Sequence, residues 1–329
     1  MTLFRLIDAQ SAAHAVRLLA EHGPAARPIA AGGDLLDLLK EGVTGALLPA
    51  PDVLINLGTA GMAGVSRSGA TLRLGAMTTL ADLAVDANVQ AVAPMLVAAI
   101  GRVASPQLRN VTTLAGNLLQ RPRCLYFRHL LIDCFKKGGH GCPAAAGDAR
   151  LSRAMFATGP CCAVHPSDLA PVLVALDATL EVVGPSGSRT VRMDDVYAGA
   201  ERNPNTEAAV AAGEIVAAVL IAPAAFSGQA FEKFTVRGAN DFADASVAVA
   251  VALTDGVIRD CRVVVGAAAL RPVRCREAEA LAIGHPAAQI VPAEIADAAV
   301  SGARVSDTTG RIDVLRTLVA RTLARAIAA

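Results

Sequence analysis

The sequence predicts an α+β protein made of two or three compact units. The first 55 or so residues alternate helical and strand patterns, whereas the last hundred or so place strands first and helices afterwards, an order typical of α+β layers. The chain has 329 residues, of which 53% are hydrophobic. A chain of that size can bury a core without disulfide staples.

The first unit begins with apolar residues at helical spacing that end at Gly23, a residue type favoured at helix C-termini. The predicted order is helix 9–21, strand 27–31, a turn at Gly32 and Gly33, a helix capped by Asp34, and strand 53–57. Alternating short strands and helices predict a small α/β unit.

The middle of the chain mixes both element types, and a change in periodicity at residues 223–228 indicates a domain boundary. The predicted elements are strands 71–77, 171–183, 190–193 and 213–222 and helices 78–85 and 89–103. We therefore expect one domain over residues 1–224, in two parts (1–57 and 58–224), and a second over residues 228–329.

The second domain contains a hairpin signal, Thr254-Asp255-Gly256, between two apolar runs. The predicted elements are strands 231–237, 245–253 and 257–270, followed by helices 274–283, 292–301 and 311–328.

Composition excludes several function classes. The net charge is +1, aromatic residues make up 3% and tryptophan is absent, so neither a basic stripe nor stacking platforms indicate nucleic-acid binding. No apolar run approaches the roughly 20 residues that a membrane helix needs, and no secretory signal is recognisable at the N-terminus. The six histidines form no metal-ligand pair and no Ser/His/Asp arrangement, so hydrolysis has no support.

Residues 120–168 are the most informative segment because they contain five of the seven cysteines, at positions Cys124, Cys134, Cys142, Cys161 and Cys162. Four thiolates suffice for a [4Fe–4S] cluster. Structural zinc, which prefers closer cysteine pairs, disulfides and unrelated buried thiols are the alternatives. The remaining two, Cys261 and Cys275, are predicted to be core thiols.

Two glycine-containing loops are candidate phosphate-binding sites. The first has the pattern of a strand, a glycine turn and a helix start, which presents backbone N–H groups to an anion such as a diphosphate. Its candidate residues are Pro28, Ile29, Ala30, Ala31, Gly32, Gly33, Asp34, Leu35 and Leu36. An ordinary tight turn is the alternative.

The second loop, residues 113–119, offers a hydroxyl at Thr113, an open backbone at Gly116 and an amide at Asn117. Two such loops can hold one long dinucleotide from two sides, although a helix N-cap with a packing glycine explains the second loop equally. Asp168, in the sequence His165-Pro166-Ser167-Asp168, is a candidate acceptor for a cofactor, with an Asx cap as the favoured alternative.

Together these motifs resemble the FAD-binding subunits of the molybdenum hydroxylases, the xanthine dehydrogenase and carbon monoxide dehydrogenase family. The resemblance rests on AAGGDLLDLLKEG, SPQLRNVTTLAGNLLQRPRC, HPSDLAPVLVALDA and EKFTVRGANDFADASVAVAVAL and covers essentially the whole chain. It implies a two-part FAD-binding domain of the vanillyl-alcohol oxidase (PCMH) type, followed by a small α/β domain of the carbon monoxide dehydrogenase flavoprotein type.

The cysteine segment is similar to an insertion, here residues 120–162, in the flavin subunit of periplasmic aldehyde oxidoreductases. That resemblance implies a [4Fe–4S] cluster held by Cys124, Cys134, Cys142 and Cys161, with Cys162 a neighbour that is not a ligand. Flavin subunits of the 4-hydroxybenzoyl-CoA reductase type also carry a cluster, so the substrate stays open.

The resemblance also implies that residues 28–36 and 113–117 hold the FAD diphosphate, that Asp168 lies near the flavin or its ribityl chain, and that Lys233 lies near the isoalloxazine. Two positions depart from the family pattern. Asp34 replaces the usual Thr, His or Asn and must point away from the diphosphate or cap the helix. Leu114 and Ala115 replace Ile and Gly.

The implied function is electron transfer without a catalytic residue on this chain. Electrons would pass from [2Fe–2S] clusters of a small partner chain to FAD, after oxidation of a substrate, an aldehyde by this resemblance, on a large molybdenum-cofactor chain. The expected assembly is a heterotrimer, exported to the periplasm with a signal-bearing partner or else cytoplasmic. A self-contained FAD oxidase and a zinc-stabilised binding module are the alternatives.

Overall fold

The computed structural model describes residues 3–147, 153–156, 159–203, 205–223, 226–304 and 310–329. The N-terminal unit consists of β1 Arg5–Asp8, α1 Ala12–His22, β2 Ala26–Ile29, α2 Leu35–Lys40 and β3 Val53–Asn56. Its three strands are parallel in the order β1-β3-β2. Ser11 caps α1 by accepting from the His14 N–H, and Gly23 ends it with φ +54°.

The middle unit is a five-stranded antiparallel sheet with short helices on it. Its elements are β4 Val65–Ser68, β5 Thr71–Gly75, α3 Leu80–Val85, α4 Ala87–Val92, α5 Pro94–Gly101, α6 Pro106–Arg109, α7 Leu114–Leu118, α8 Pro143–Ala146, α9 Leu169–Ala175, β6 Thr179–Gly184, β7 Gly187–Arg192, α10 Met193–Val196 and β8 Ile215–Ile221. The strand order is β4-β5-β8-β6-β7. The cysteine segment lies between α7 and α9.

The C-terminal unit is an antiparallel sheet of order β12-β11-β10-β9 covered by three helices. Its elements are β9 Gly228–Phe234, β10 Ala245–Thr254, β11 Val257–Gly266, β12 Val273–Arg274, α11 Arg276–Ala282, α12 Pro292–Val300 and α13 Arg311–Ala328. Asp255 and Gly256 turn the β10–β11 hairpin with φ of +52° and +73°, the backbone that a two-residue hairpin loop requires.

Alternation along β10 divides its side chains between two cores. Ala248 and Ala250 pack into the core of the middle unit, whereas Val247, Val249 and Val251 pack with α12 and α13. Both sets are fully buried, and each buried valine contributes about 1.5–3 kcal/mol relative to exposure. The middle and C-terminal units therefore pack face to face, which brings loops from both to one region.

Two predicted elements differ from the structure. Residues 171–183 were expected to form one strand, but helix α9 occupies the first part and β6 follows. Every residue of α9 is buried, so its sequence carries no polar periodicity that distinguishes a buried helix from a buried strand. The predicted helix 89–103 is interrupted at Ala93, because Pro94 has no N–H and begins α5 instead.

Most other predicted elements are present within a few residues. The structure adds elements that were not predicted, among them β1, β4, β12, α6, α8 and α10. The predicted boundary at 223–228 includes residues 224–225, which lie outside the described residues. None of the helices in the described ranges is both long and apolar enough to cross a bilayer.

Candidate functional site

The first glycine loop leaves β2 at Ile29 and enters α2 at Leu35. Within the described part of the chain, the backbone N–H groups of residues 30–34 donate no hydrogen bond to another residue. A Cβ atom added to Gly33 meets nothing within 4 Å, whereas one on Gly32, at φ +78°, meets the Leu36 side chain at 2.7 Å. Unpaired N–H groups beside open space suit an anion such as a diphosphate.

Asp34 does not cap α2, so that part of the prediction is wrong. Its side chain accepts no hydrogen bond from the helix and turns instead to the cysteine segment. Asp34 Oδ2 accepts from the Arg121 backbone N–H at 2.9 Å, and Oδ1 lies 2.5 Å from Arg128 Nη2 and 3.2 Å from Arg123 Nη2. The carboxylate is thus neutralised away from the loop's own N–H groups.

The second loop is organised by Thr113, which is 5% exposed. Its hydroxyl caps α7 by accepting from the Gly116 N–H at 3.2 Å, as the N-cap alternative predicted. The loop is fixed against the connection between β5 and α3. Thr113 pairs with Thr79 in a strand-like bridge, and the Leu114 N–H donates to Thr78 O at 3.0 Å. Gly116 itself is exposed.

Asp168 does not form the favoured Asx cap. Instead, Asp168 Oδ2 accepts from Lys233 Nζ at 2.7 Å, with side chains 6% and 2% exposed. Lys233 Nζ also donates to Asp241 O at 2.7 Å and to Arg102 O at 3.1 Å. Burial raises the pKa of Asp168, and the charge of Lys233 opposes that rise. Two residues 65 positions apart thus form one buried ion pair.

The cap at α9 comes from Ser167, which the sequence reasoning missed. Ser167 Oγ accepts from the N–H groups of Leu169 and Ala170 at 3.2 and 3.1 Å. It donates to Asn117 Oδ1 at 2.6 Å, so the second loop is bonded to the Asp168 turn. A serine two positions before an apolar helix start is the signal that identifies such a cap.

His165 and Tyr197 form a buried pair next to this turn, with ring centroids 4.2 Å apart. The Tyr197 hydroxyl donates to Leu118 O at 3.1 Å. Burial lowers the pKa of His165 to about 4, so the imidazole is neutral at pH 7 and serves packing.

Two adjacent cavities open beside the Asp168–Lys233 pair and share Asp241. The larger, of about 360 Å³, is lined by Arg123, Cys124, Val164, Pro166, Val236, Arg237, Asp241, Phe242, Ala243 and Asp244. The smaller, of about 110 Å³, includes Arg102, Lys233 and Thr235, and the buried Thr235 hydroxyl has no hydrogen-bond partner in the described residues. The cavities therefore offer apolar walls together with polar groups that a ligand can satisfy.

The five segment cysteines meet in one buried cluster. Cys124, Cys134 and Cys161 are buried, and Cys142 and Cys162 pack against them. Cys142 Sγ lies 3.7 Å from Cys162 Sγ. Cys261 and Cys275 lie in the C-terminal core, as predicted, where burial raises the pKa of each thiol to about 12.

The surroundings of these thiols shift their pKa values in opposite directions: downward for Cys142 and upward for Cys134, Cys161 and Cys162. Hydrogen bonds from the Cys161 and Cys162 thiols lower the pKa of Cys142, and hydrogen bonding to Cys142 raises the pKa of both partners. Lys136 and Lys137 are 1% and 5% exposed and lower the pKa of Cys161 and Cys134 respectively, against the effect of burial. Buried lysines are rare unless an anion compensates them.

Lys136 is also paired with Glu207 Oε1 at 2.8 Å, and Arg121 Nε donates to Glu207 Oε2 at 2.7 Å. Burial alone would raise the pKa of Glu207, but these two cations hold it below its usual value. Across the described ranges, no three His, Cys, Asp or Glu side chains are grouped as ligands of a single metal ion.

A family model described as the FAD-binding domain in molybdopterin dehydrogenase matches residues 2–224, and one described as the carbon monoxide dehydrogenase flavoprotein C-terminal domain matches residues 229–329. The chain belongs to this family of FAD-binding subunits. It is therefore the flavin-binding component of an oxidoreductase of the molybdenum hydroxylase family, and the predicted family and fold class are confirmed.

Several relatives support the assignment. The chain is 36% identical over 266 residues to the aldehyde oxidoreductase FAD-binding subunit PaoB of Escherichia coli, covering 80% of this chain and 81% of that protein. It is 27% identical to the 6-hydroxypseudooxynicotine dehydrogenase complex subunit alpha of Paenarthrobacter nicotinovorans, covering 98% and 94%. In three dimensions it is similar to carbon monoxide dehydrogenase from Hydrogenophaga pseudoflava, with 25% identity, a TM-score of 0.77 and coverage of 99% and 98%.

FAD is thus the cofactor of this subunit. The second glycine loop is bonded to the turn before α9 through Asn117 and Ser167, where Asp168 pairs with Lys233, and the first loop contacts the cysteine segment through Asp34; the contacts of all these residues with FAD stay predictions. The [4Fe–4S] assignment is likewise a prediction.

Proposed function

We propose that this chain transfers electrons within a molybdenum hydroxylase through FAD and a [4Fe–4S] cluster. The observation that carries the proposal is the contact between two sites: the first glycine loop, whose N–H groups are unpaired, is joined through Asp34 to the segment that carries five thiols beside two buried lysines. When bound, FAD accepts and releases electrons singly or in pairs. The protein supplies position, charge and exclusion of water.

The FAD diphosphate would lie on the unpaired N–H groups of residues 30–34 on one side and on Gly116 and Asn117 on the other. The flavin ring would lie beside the Asp168–Lys233 pair, toward the cavities that share Asp241. Lys233 is held by three oxygen acceptors, so its charge is fixed in place and can stabilise negative charge on a reduced flavin.

The cluster would be held by Cys124, Cys134, Cys142 and Cys161. Cys161 is 5% exposed and feels the charge of Lys136, whereas Cys162 is half-buried and faces Arg153. Buried cations offset the negative charge of a cluster with four thiolates. Both thiols therefore lie near a cation, and the choice of Cys161 over Cys162 as the fourth ligand follows from the resemblance to the flavin subunits of periplasmic aldehyde oxidoreductases.

The cluster assignment is tested by iron and sulfide analysis after anaerobic reconstitution. Serine at any of the four ligand positions should abolish iron and the visible absorbance of the cluster, while Cys162→Ser should retain both. Cys261→Ala, a change to a core thiol, is the matched control. Zinc in place of iron, or iron loss in Cys162→Ser but not in Cys161→Ser, would overturn the assignment.

The partners would be a large molybdenum-cofactor chain and a small [2Fe–2S] chain. Relatives are described by name as a medium chain or as a complex subunit. Leu125 and Leu131 of the cysteine segment are 78% and 84% exposed, which suits coverage by another chain. The isolated chain should accept electrons from dithionite but oxidise no aldehyde until both partners are added; aldehyde turnover by the isolated chain would indicate a self-contained oxidase.

The assembled complex would be periplasmic, exported with a signal-bearing partner, because the cysteine segment is similar to that of periplasmic aldehyde oxidoreductases. Fractionation of cells expressing all three chains tests this location. Retention of the complex in the cytoplasm would contradict it.

A further inference from the structure

The cysteine segment and the first glycine loop are joined by one guanidinium group. Arg128 is 10% exposed, and its Nη2 and Nη1 contact Asp34 Oδ1 at 2.5 Å and Asp37 Oδ2 at 3.1 Å. Asp34 directly precedes α2, next to the unpaired N–H groups of the loop. An arginine fixed by two carboxylates holds a defined geometry, because its planar fork matches them.

The same arginine also fixes the backbone around Cys124. The Arg128 N–H donates to Cys124 O at 3.0 Å, and Arg128 Nε donates to Pro122 O at 3.0 Å. The Arg121 N–H donates to Asp34 Oδ2, so Asp34 receives a second bond from the segment. A displacement of the Cys124 turn therefore displaces the groups that hold Asp34.

Where the cysteine segment contacts the first glycine loop and α2, two carboxylates face two guanidinium groups. Asp34 and Asp37 face Arg123 and Arg128, with Arg123 at 3.2 Å and 3.5 Å from the two carboxylates. An unpaired carboxylate beside a diphosphate would repel it, whereas a paired one is tolerated. This pairing keeps the Asp34 carboxylate from standing uncompensated beside the first glycine loop.

We propose that the contacts of Arg128 with Asp34, here called the Asp34–Arg128 clamp, couple the two cofactor sites, so that a filled cysteine site strengthens FAD binding. The inference rests on the proposed [4Fe–4S] cluster. Coupling between two sites is reciprocal: FAD must stabilise the cluster by the same factor. Asp34 and Arg128 are positioning residues, acting through the loop and through Cys124.

The test is a double-mutant cycle on the full chain, with the FAD dissociation constant measured by titration and iron measured separately. Cys134→Ser removes the cluster without touching the clamp, and Arg128→Gln removes the clamp. We expect each change alone to weaken FAD binding about 10-fold, within the 5–150-fold range typical of coupled sites. The combined variant should bind FAD about as well as Arg128→Gln alone, because the coupling is already lost.

A second variant separates charge from packing. Asp34→Asn together with Arg128→Gln leaves Asp37 matched by Arg123 and removes the unmatched carboxylate. It should bind FAD more tightly than Arg128→Gln, yet stay insensitive to cluster loss. Arg73→Gln, which removes a pair of 3.0 Å with Glu181 on the sheet of the middle unit, is the matched control and should behave as wild type.

If the wild-type chain loads iron, but Cys134→Ser and Arg128→Gln weaken FAD binding independently, so that their fold-changes multiply in the combined variant, the coupling through the clamp is refuted and the cluster assignment stands. Unchanged FAD binding by Cys134→Ser would refute the coupling as well. A wild-type chain that binds FAD but takes up no iron would overturn the cluster assignment, and the coupling would fall with it.

Discussion

Replacing Lys233 by methionine removes the cation of the buried Asp168–Lys233 pair while keeping a side chain of similar length. Lys233 Nζ bonds Asp168 Oδ2, Asp241 O and Arg102 O, so three acceptors lose their donor. Breaking a buried ion pair by removing one partner costs about 3–5 kcal/mol. We expect the free energy of unfolding to fall by about that amount at pH 8.

The fall in the free energy of unfolding should depend on pH, and the ionisation of Asp168 decides whether it grows or shrinks as pH rises. Burial already raises the pKa of this carboxyl, and removing Lys233 raises it further. Between the folded pKa of Asp168 in wild type and its higher folded pKa in the variant, the unfolded chain and the folded wild type have lost a proton that the folded variant keeps. Stability relative to wild type therefore declines as pH rises, by up to about 1.4 kcal/mol per pH unit within that window.

The assay is denaturant unfolding of the wild-type and Lys233→Met chains at pH 5 and pH 8, both freed of FAD. Lys233→Met/Asp168→Asn, in which neither residue is charged, should recover most of the loss at pH 8. A difference below about 1 kcal/mol at pH 8, or one equal at both pH values, would refute the reasoning that the pair is buried and mutually dependent.

Three further predictions follow from the same site. Gly33→Val should leave the free energy of unfolding within about 0.5 kcal/mol of wild type, because a Cβ at this position meets nothing within 4 Å, yet it should reduce FAD content to a few per cent at most. The control is Gly213→Val, whose Cβ would meet only Pro185, at 3.9 Å. Full FAD content in Gly33→Val would show that the loop is not part of the FAD site. Because the folded pKa of His165 is about 4 rather than 6.5, wild type should lose about 3 kcal/mol relative to His165→Asn as pH falls from 6.5 to 4, in unfolding titrations at both values; parallel curves would contradict this. Ser167→Ala removes the α9 cap and the bond to Asn117 and should cost about 1–3 kcal/mol of unfolding free energy, whereas a cost near zero would mean that water replaces the hydroxyl.

Local patterns determined much of the C-terminal unit. The Thr254-Asp255-Gly256 turn between alternating apolar runs predicted the hairpin of β10 and β11, because only residues that tolerate positive φ form such a turn. Helix α13 was predicted at its exact bounds from its apolar periodicity. Both features depend on interactions between residues close in sequence, which a sequence pattern records directly.

The family motifs likewise determined the cofactor class, FAD, whereas the [4Fe–4S] cluster stays a prediction. The sequence did not determine which partners the charged groups take. Asp34 and Asp168 both precede helices, so a local cap was the natural prediction for each, yet the first pairs with Arg128 and the second with Lys233.

These partners lie 94 and 65 residues away along the chain. They come close only because the cysteine segment packs against the first glycine loop and Lys233 of β9 reaches the turn before α9. A carboxylate that is being buried takes the partner that compensates its charge best, and a distant guanidinium or ammonium stabilises it more than a neighbouring backbone N–H does. Tertiary packing therefore determined which partners these carboxylates take. The free energy of each pairing depends on how deeply the groups are buried, and burial is a property of the whole fold.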